Sequence, residues 1–158
     1  MERKAIAPDR ELVFHSGYRE TRLPHSNKRV PPQPLGSEPP TDLDRGDPRI
    51  YLAKWMTAAE NPWFARLVTN RMWKHFLGRG LFEPEDDMRW TNPATNEALL
   101  DRLAQYVVSS GYDLKALMRL ILNSNVYQLS SRTNQYNQYD DQNFSHYYVK
   151  RLPAEVLL

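Results

Sequence analysis

The chain of 158 residues contains no cysteine. This excludes disulfides, thiolate-held metals, a cysteine nucleophile and a covalently attached c-type haem for this chain. Glycine is scarce, at 6 residues, and none falls in a GxGxxG or GxxxxGK[ST] pattern. Gly78-Arg79-Gly80 is too short for a phosphate loop, and GxSxG is missing too. The 4 histidines, His15, His25, His75 and His146, make no HxH, HExxH or HxxxH spacing, so no metal site is expected. Neither sign of charge dominates: 21 Lys+Arg against 19 Asp+Glu leave +2, which gives no case for nucleic acid as a partner. No apolar run approaches the ~20 residues of a membrane span. The start, MERKAIAPDRELVF, has no apolar core of a secretory signal. Two origins remain open on these grounds, a cytosolic protein or an internal piece of an exported one.

What is abundant is unevenly spread. Seven of the 12 prolines lie between Pro24 and Pro48. Each removes a backbone donor and biases its predecessor toward extended conformation. Residues 1–47 therefore read as an extended, Pro-rich connector, with Leu12-Val13-Phe14 as the only piece suited to a strand. The mean hydropathy of -0.71 fits a chain that is partly outside any core.

From Pro48 the pattern turns helical. Ile50, Leu52, Ala53, Trp55 and Met56 suit one face of a short helix. Asn61-Pro62 reads as the cap and first position of the next, with Phe64, Ala65, Leu67, Val68, Met72 and Phe76 as its apolar face and Gly78 as its left-handed end. Asn92-Pro93 or Thr95 opens a third helix, carrying Leu99, Leu100, Leu103, Ala104 and Val107 up to Gly111. Asp113 caps a fourth, with Leu114, Leu117, Met118 and Ile121 inward. Its short link to the third predicts a helical hairpin. Residues 133–143, TNQYNQYDDQN, have no apolar period and read as a polar loop. Pro153 begins a last short helix. The fold expected is mainly α, a small irregular bundle of about four helices over residues 48–158, cut short at its C-terminus.

One polar cluster stands out as a candidate site. Arg66, Asn70 and Lys74 are four apart on one helix face, Arg71 and His75 share another, and Trp73 lies between. Such a face suits an anion, with the tryptophan as a stacking surface. The acids Glu83, Glu85, Asp86 and Asp87 follow closely. They match no EF-hand register, and the ordinary alternative is that Asp86 and Asp87 pair with Arg71, Arg79 or Arg89 in the domain interior. The tyrosines of the wider polar segment that begins at Tyr127, namely Tyr127, Tyr136, Tyr139, Tyr147 and Tyr148, sit among amide side chains, a combination that suits carbohydrate: rings for the sugar face, amides for its hydroxyls.

A longer series of stretches is familiar in combination. It runs Asn61-Pro62, Ala65-Arg66, Asn70-Arg71-Met72-Trp73, Phe76-Leu77-Gly78-Arg79-Gly80-Leu81, Asp86-Asp87-Met88-Arg89 and Thr91-Asn92-Pro93. It continues through Thr95-Asn96, Leu99-Leu100-Asp101, Ser110-Gly111-Tyr112-Asp113-Leu114-Lys115 and Leu120-Ile121. Asn123-Ser124, Tyr127-Gln128-Leu129-Ser130-Ser131 and Arg151-Leu152-Pro153-Ala154-Glu155 complete it. In this order the series resembles the domain of unknown function numbered 1553, over roughly residues 48–158. The resemblance implies a C-terminal module of large exported surface proteins of Planctomycetes and Verrucomicrobia. Its companions there are a domain of unknown function numbered 1549 and often a cytochrome c-like domain. It implies a link to polysaccharide handling, but no catalytic residues and no cofactor in this chain. Asn96 and Met118 stand where many members have His. The function expected is an accessory or interaction module whose partners are companion domains and glycan. The alternative is part of a hydrolase or oxidoreductase site completed by a companion domain.

Overall fold

The computed structural model describes residues 21–38, 47–151 and 154–157. The expected strand at Leu12-Val13-Phe14 and the helix-opening Pro153 lie outside the described residues. The chain divides into two units, one ending at Ala58 and one running Ala59–Leu158.

In the first unit, β1 (Thr21–Arg22) and β2 (Arg29–Val30) pair antiparallel, with Thr21 opposite Val30 and Arg22 opposite Arg29. This exposed hairpin breaks the extended run expected of the connector. Its turn is closed by Leu23 and Lys28, and Asn27 takes the positive φ of 51° that the turn demands. α1 (Pro48–Met56) begins with proline at its first turn, and Asp47 accepts from the Arg49 N–H as its cap. The apolar face read for this helix is not a core face: none of its residues is buried, and Ile50 is 58% exposed.

The second unit is the helical bundle. α2 (Phe64–Leu77), α3 (Glu97–Ser109) and α4 (Leu114–Leu122) pack together, and α5 (Ala154–Leu157) is a single turn. The expectation of a mainly α domain holds. Local chemistry explains the boundaries. Asn61 Oδ1 accepts from the N–H groups of Trp63 and Phe64, so it caps α2 from just outside the first turn. Gly78 ends α2 at φ 84°. Asp113 Oδ1 accepts from the Ala116 N–H and caps α4. α3 opens later than expected. Its cap is Asn96, whose Oδ1 accepts from Leu99 N–H, while Thr95 is drawn away to the Leu81 carbonyl by both its N–H and its hydroxyl.

The core joins Trp73 and Leu77 of α2 with Leu100, Leu103 and Val107 of α3 and Leu117 and Ile121 of α4. Leu81 and Phe82, from the loop after α2, and Phe144, from the polar loop, complete it. The face of α2 differs from the one its periodicity predicts. Ala65, Thr69, Asn70, Trp73 and Leu77 are its buried residues, whereas Met72 and Phe76 are half-buried at the flank of the core. The loop after α2 folds back over the helix and covers a side that would otherwise face water.

Candidate functional site

α2 carries the candidate polar residues, and the loop of residues 79–95 wraps over them. Asn70 decides the arrangement. It is fully buried. Its Oδ1 accepts from Leu81 N–H at 2.7 Å and Phe82 N–H at 3.3 Å, and its Nδ2 donates to the Phe82 carbonyl at 3.0 Å and the Glu85 carbonyl at 3.4 Å. One amide thus uses its full complement of donors and acceptors on the loop backbone. Asn70 is a fastening rather than a ligand contact.

The remaining candidates separate into pairs. Arg71 forms a two-pronged contact with Asp86, Nε to Oδ1 at 2.8 Å and Nη2 to Oδ2 at 2.5 Å. Lys74 Nζ reaches Glu83 at 2.9 Å and Glu85 at 2.5 Å. Arg89 pairs with Asp87 at 2.6 Å. The Arg71–Asp86 and Arg89–Asp87 pairs follow the ordinary alternative read from the sequence, with one correction: Arg71–Asp86 lies at the surface, not in the interior. Both side chains of the Arg71–Asp86 pair are more than half exposed, because the loop brings its acids along the rim of α2. Hydrogen bonding to Asp86 raises the Arg71 pKa, hydrogen bonds to Glu83 and then Glu85 raise that of Lys74, and the Lys74 ammonium lowers that of Glu85.

Arg66, Asn70 and Lys74 do not form a common anion-binding face. Arg66 turns to α3, where it pairs with Glu97 and, at 3.3 Å, with Asp101. Trp73 is 4% exposed and meets Phe144 edge-on at 5.5 Å, so its ring is no stacking surface. His75 is exposed, edge-on to Phe76. Among the described residues, no three His, Asp or Glu side chains are grouped to hold a metal ion, and no helix is long and apolar enough to cross a membrane.

The polar loop is well built. Asp140 accepts from the N–H groups of Gln142, Asn143 and Ser145 and from Asn143 Nδ2. Hydrogen bonding by Ser145 and then by the Asn143 backbone holds its carboxyl far below the usual range. Asn134 Oδ1 accepts from Tyr136 and Asn137 N–H, and Asn137 Nδ2 donates to the Ser145 carbonyl. The Tyr147 N–H donates to the Ser130 carbonyl at 3.1 Å and closes the base. Two roles emerge for its tyrosines. Tyr127 and Tyr147 meet edge-on at 5.7 Å, and the Tyr147 hydroxyl donates to the Phe76 carbonyl at the end of α2. Burial pushes the Tyr147 and Tyr148 hydroxyls up. Tyr136 and Tyr139, by contrast, are each 89% exposed.

A profile of the family described as protein of unknown function (DUF1553) matches residues 48–158. The chain belongs to this family. No curated protein and no solved structure matches it. In this DUF1553 chain the wrapping contacts join the stretches that carry the resemblance: Asn70 binds Leu81, and Arg71 binds Asp86. Reading by helix spacing missed Glu97, the partner of Arg66, although its place at the opening of α3 marked it as a residue with a local task. It also missed Lys150, whose ammonium donates to the His75 and Phe76 carbonyls. Only the chemistry of a helix end, which favours a cation, gave a signal for it.

Proposed function

We propose that this DUF1553 chain is an accessory interaction module of an exported multidomain protein, set beside companion domains, and that it contacts polysaccharide. The supporting observation is the loop of residues 131–146. It holds Tyr136 and Tyr139 almost fully in solvent on a frame fixed by Asn134, Asn137 and Asp140. The backbone that carries the two rings is ordered before a ligand arrives, which lowers the entropy that stacking would cost. The flanking Gln135 and Gln138 amides, both exposed, supply the hydroxyl partners that sugar needs. Arg66, Arg71 and Lys74 of α2 are paired with acids of α3 and of the returning loop, which leaves the tyrosine loop as the better presented surface.

The test is retention of the chain on insoluble and soluble polysaccharides, read by pull-down and affinity electrophoresis. Replacement of both Tyr136 and Tyr139 by Ala is expected to weaken retention at least tenfold while the thermal transition stays in place, each lost ring removing about 1 kcal/mol or more of contact. Retention unchanged by the double substitution, or none on any polysaccharide, would refute the reading.

A further inference from the structure

The loop that carries the exposed tyrosines repeats itself. Residues 134–139 read Asn-Gln-Tyr-Asn-Gln-Tyr, one tripeptide twice in succession. Both copies divide their work in the same way. The asparagines build the frame. Asn134 Oδ1 accepts from the Asn137 N–H at 3.2 Å, and Asn137 Oδ1 accepts from the Asn134 N–H at 2.7 Å, a reciprocal cap on one helical turn. Asn137 Nδ2 ties that turn to the Ser145 carbonyl. The Gln138 N–H donates to the Asn134 carbonyl at 3.0 Å and the Asp140 N–H to the Asn137 carbonyl at 3.1 Å, which closes the turn. The glutamines and tyrosines are left over. Gln135, Tyr136, Gln138 and Tyr139 are all exposed, and among the described residues their side chains have no hydrogen-bond or ring partner.

In such a turn a period of three in sequence becomes a period in space. Residues three apart come to the same side, about 4.5–6 Å further along. Tyr136 and Tyr139 are thus two like rings on one side, each preceded by a free amide. A ligand that meets both must itself repeat at about that distance.

From this repetition we infer that the loop takes two successive rings of one polysaccharide chain, one on each Gln-Tyr pair, and that the chain is of the extended, β-linked kind. This deepens the carbohydrate reading above and rests on it. In an extended β-linked chain the rings follow one another in a flat ribbon, with a rise per ring close to that of the turn, and show C–H faces to either side. A coiled α-linked chain carries its second ring out of line with the first. Each tyrosine covers a C–H face, and each glutamine amide, both donor and acceptor, meets hydroxyls at the ring's edge. The smallest unit recognised is a disaccharide.

The experiment titrates the full 158-residue chain with cello-, xylo-, manno- and chito-oligosaccharides of one to four rings, and with malto-oligosaccharides in parallel. The side-chain amide signals of Gln135 and Gln138 in NMR spectra are the readout. At least one β-linked series is expected to bind about fivefold more tightly at two rings than at one, with less than about a twofold gain for each further ring, and the malto series should show no such step. Tyr136→Ala and Tyr139→Ala should each abolish the step. So should the paired exchange Gln138→Tyr with Tyr139→Gln, which keeps the composition but moves the second ring off the period of three, while the thermal transition stays in place. The inference is overturned by equal affinity for one and two rings in every β-linked series, by an equal step in the malto series, or by a folded exchange variant that keeps the step. Any of these, found together with tyrosine-dependent retention on polysaccharide, removes the two-ring site and leaves the carbohydrate reading standing. Absence of that retention removes both.

Discussion

A side-chain carbon placed on Gly80 would lie 2.9 Å from both polar atoms of the Asn70 amide and 2.6 Å from the Phe82 carbonyl oxygen. The two residues are complementary. Asn70 can reach the loop backbone because position 80 has no side chain, and its amide, together with buried Leu81 and Phe82, holds the loop against α2.

Asn70→Ala should therefore be among the most damaging single changes in the domain. It strands the Leu81 N–H and the Phe82 carbonyl in a buried place, at about 1–3 kcal/mol for each unpaired group. Gly80→Ala should cost about 1–3 kcal/mol by forcing the loop outward. Urea unfolding of each variant measures both. A loss below about 0.5 kcal/mol for Asn70→Ala would show that the loop holds itself.

The ion pairs beside it should behave oppositely. Arg71→Ala and Asp86→Ala are each expected to change stability by less than about 1 kcal/mol, since both side chains are mostly solvated. The small effect should shrink further in high salt. Chemical unfolding with and without added salt tests this. A loss of several kcal/mol would mean that the pair, not Asn70, closes the loop.

Two tryptophans give a sharp contrast. Trp90 is 101% exposed and Trp73 is 4% exposed. Trp90→Ala should leave stability within about 0.5 kcal/mol of the parent. Trp73→Ala should remove about 3–5 kcal/mol by emptying the core beside Phe144. Fluorescence adds a check: the Trp90 contribution should be quenched readily by iodide and the Trp73 contribution hardly at all.

Acid should loosen the tyrosine loop before the bundle. The Asp140 carboxyl is depressed in the folded chain, so its contribution is present above the ordinary carboxylate range and is lost as pH falls through the lowered value. Protection of the Gln142, Asn143 and Ser145 amides, relative to their intrinsic exchange rates, should fall between about pH 4 and pH 2, while α3 amides stay protected. Asp140→Asn should give the same loosening at neutral pH. Uniform protection across that range would assign the loop's order to other bonds.

The sequence carried the local signals plainly. Asn61, Gly78 and Asp113 mark helix ends through bonds to residues two to four positions away, and those bonds depend on little else. The apolar spacing of α3 and α4 likewise leads straight to Leu100, Leu103, Val107, Leu117 and Ile121. α2 was harder. Its Phe64, Val68, Met72 and Phe76 row is a good helical face, yet three sides of the helix are covered, by α3, by α4 and by the returning loop. The spacing of Arg66, Asn70 and Lys74 suggested joint action, but Arg66 is claimed by acids of α3, Asn70 by the backbone of the returning loop and Lys74 by that loop's acids. Spacing along one helix cannot report such partners. The pairing of Arg71 with Asp86 was legible because opposite charges followed closely in the chain, although its place at the surface was not. Asn70 was legible only as a polar residue, since nothing local told that a loop would cover it.

The closed base of the tyrosine loop has a consequence for how the domain can vary. Ser130 and Tyr147 meet there, and Tyr147 and Lys150 are tied to the last carbonyls of α2. The ends of the excursion are thus held by the bundle, whatever lies between them. Doubling its length would add only about 0.6 kcal/mol of closure entropy. The segment between those anchors is a cassette: residues of another length and chemistry can be exchanged into it, provided a side chain like Phe144 still reaches the core, and the helices beneath need not change.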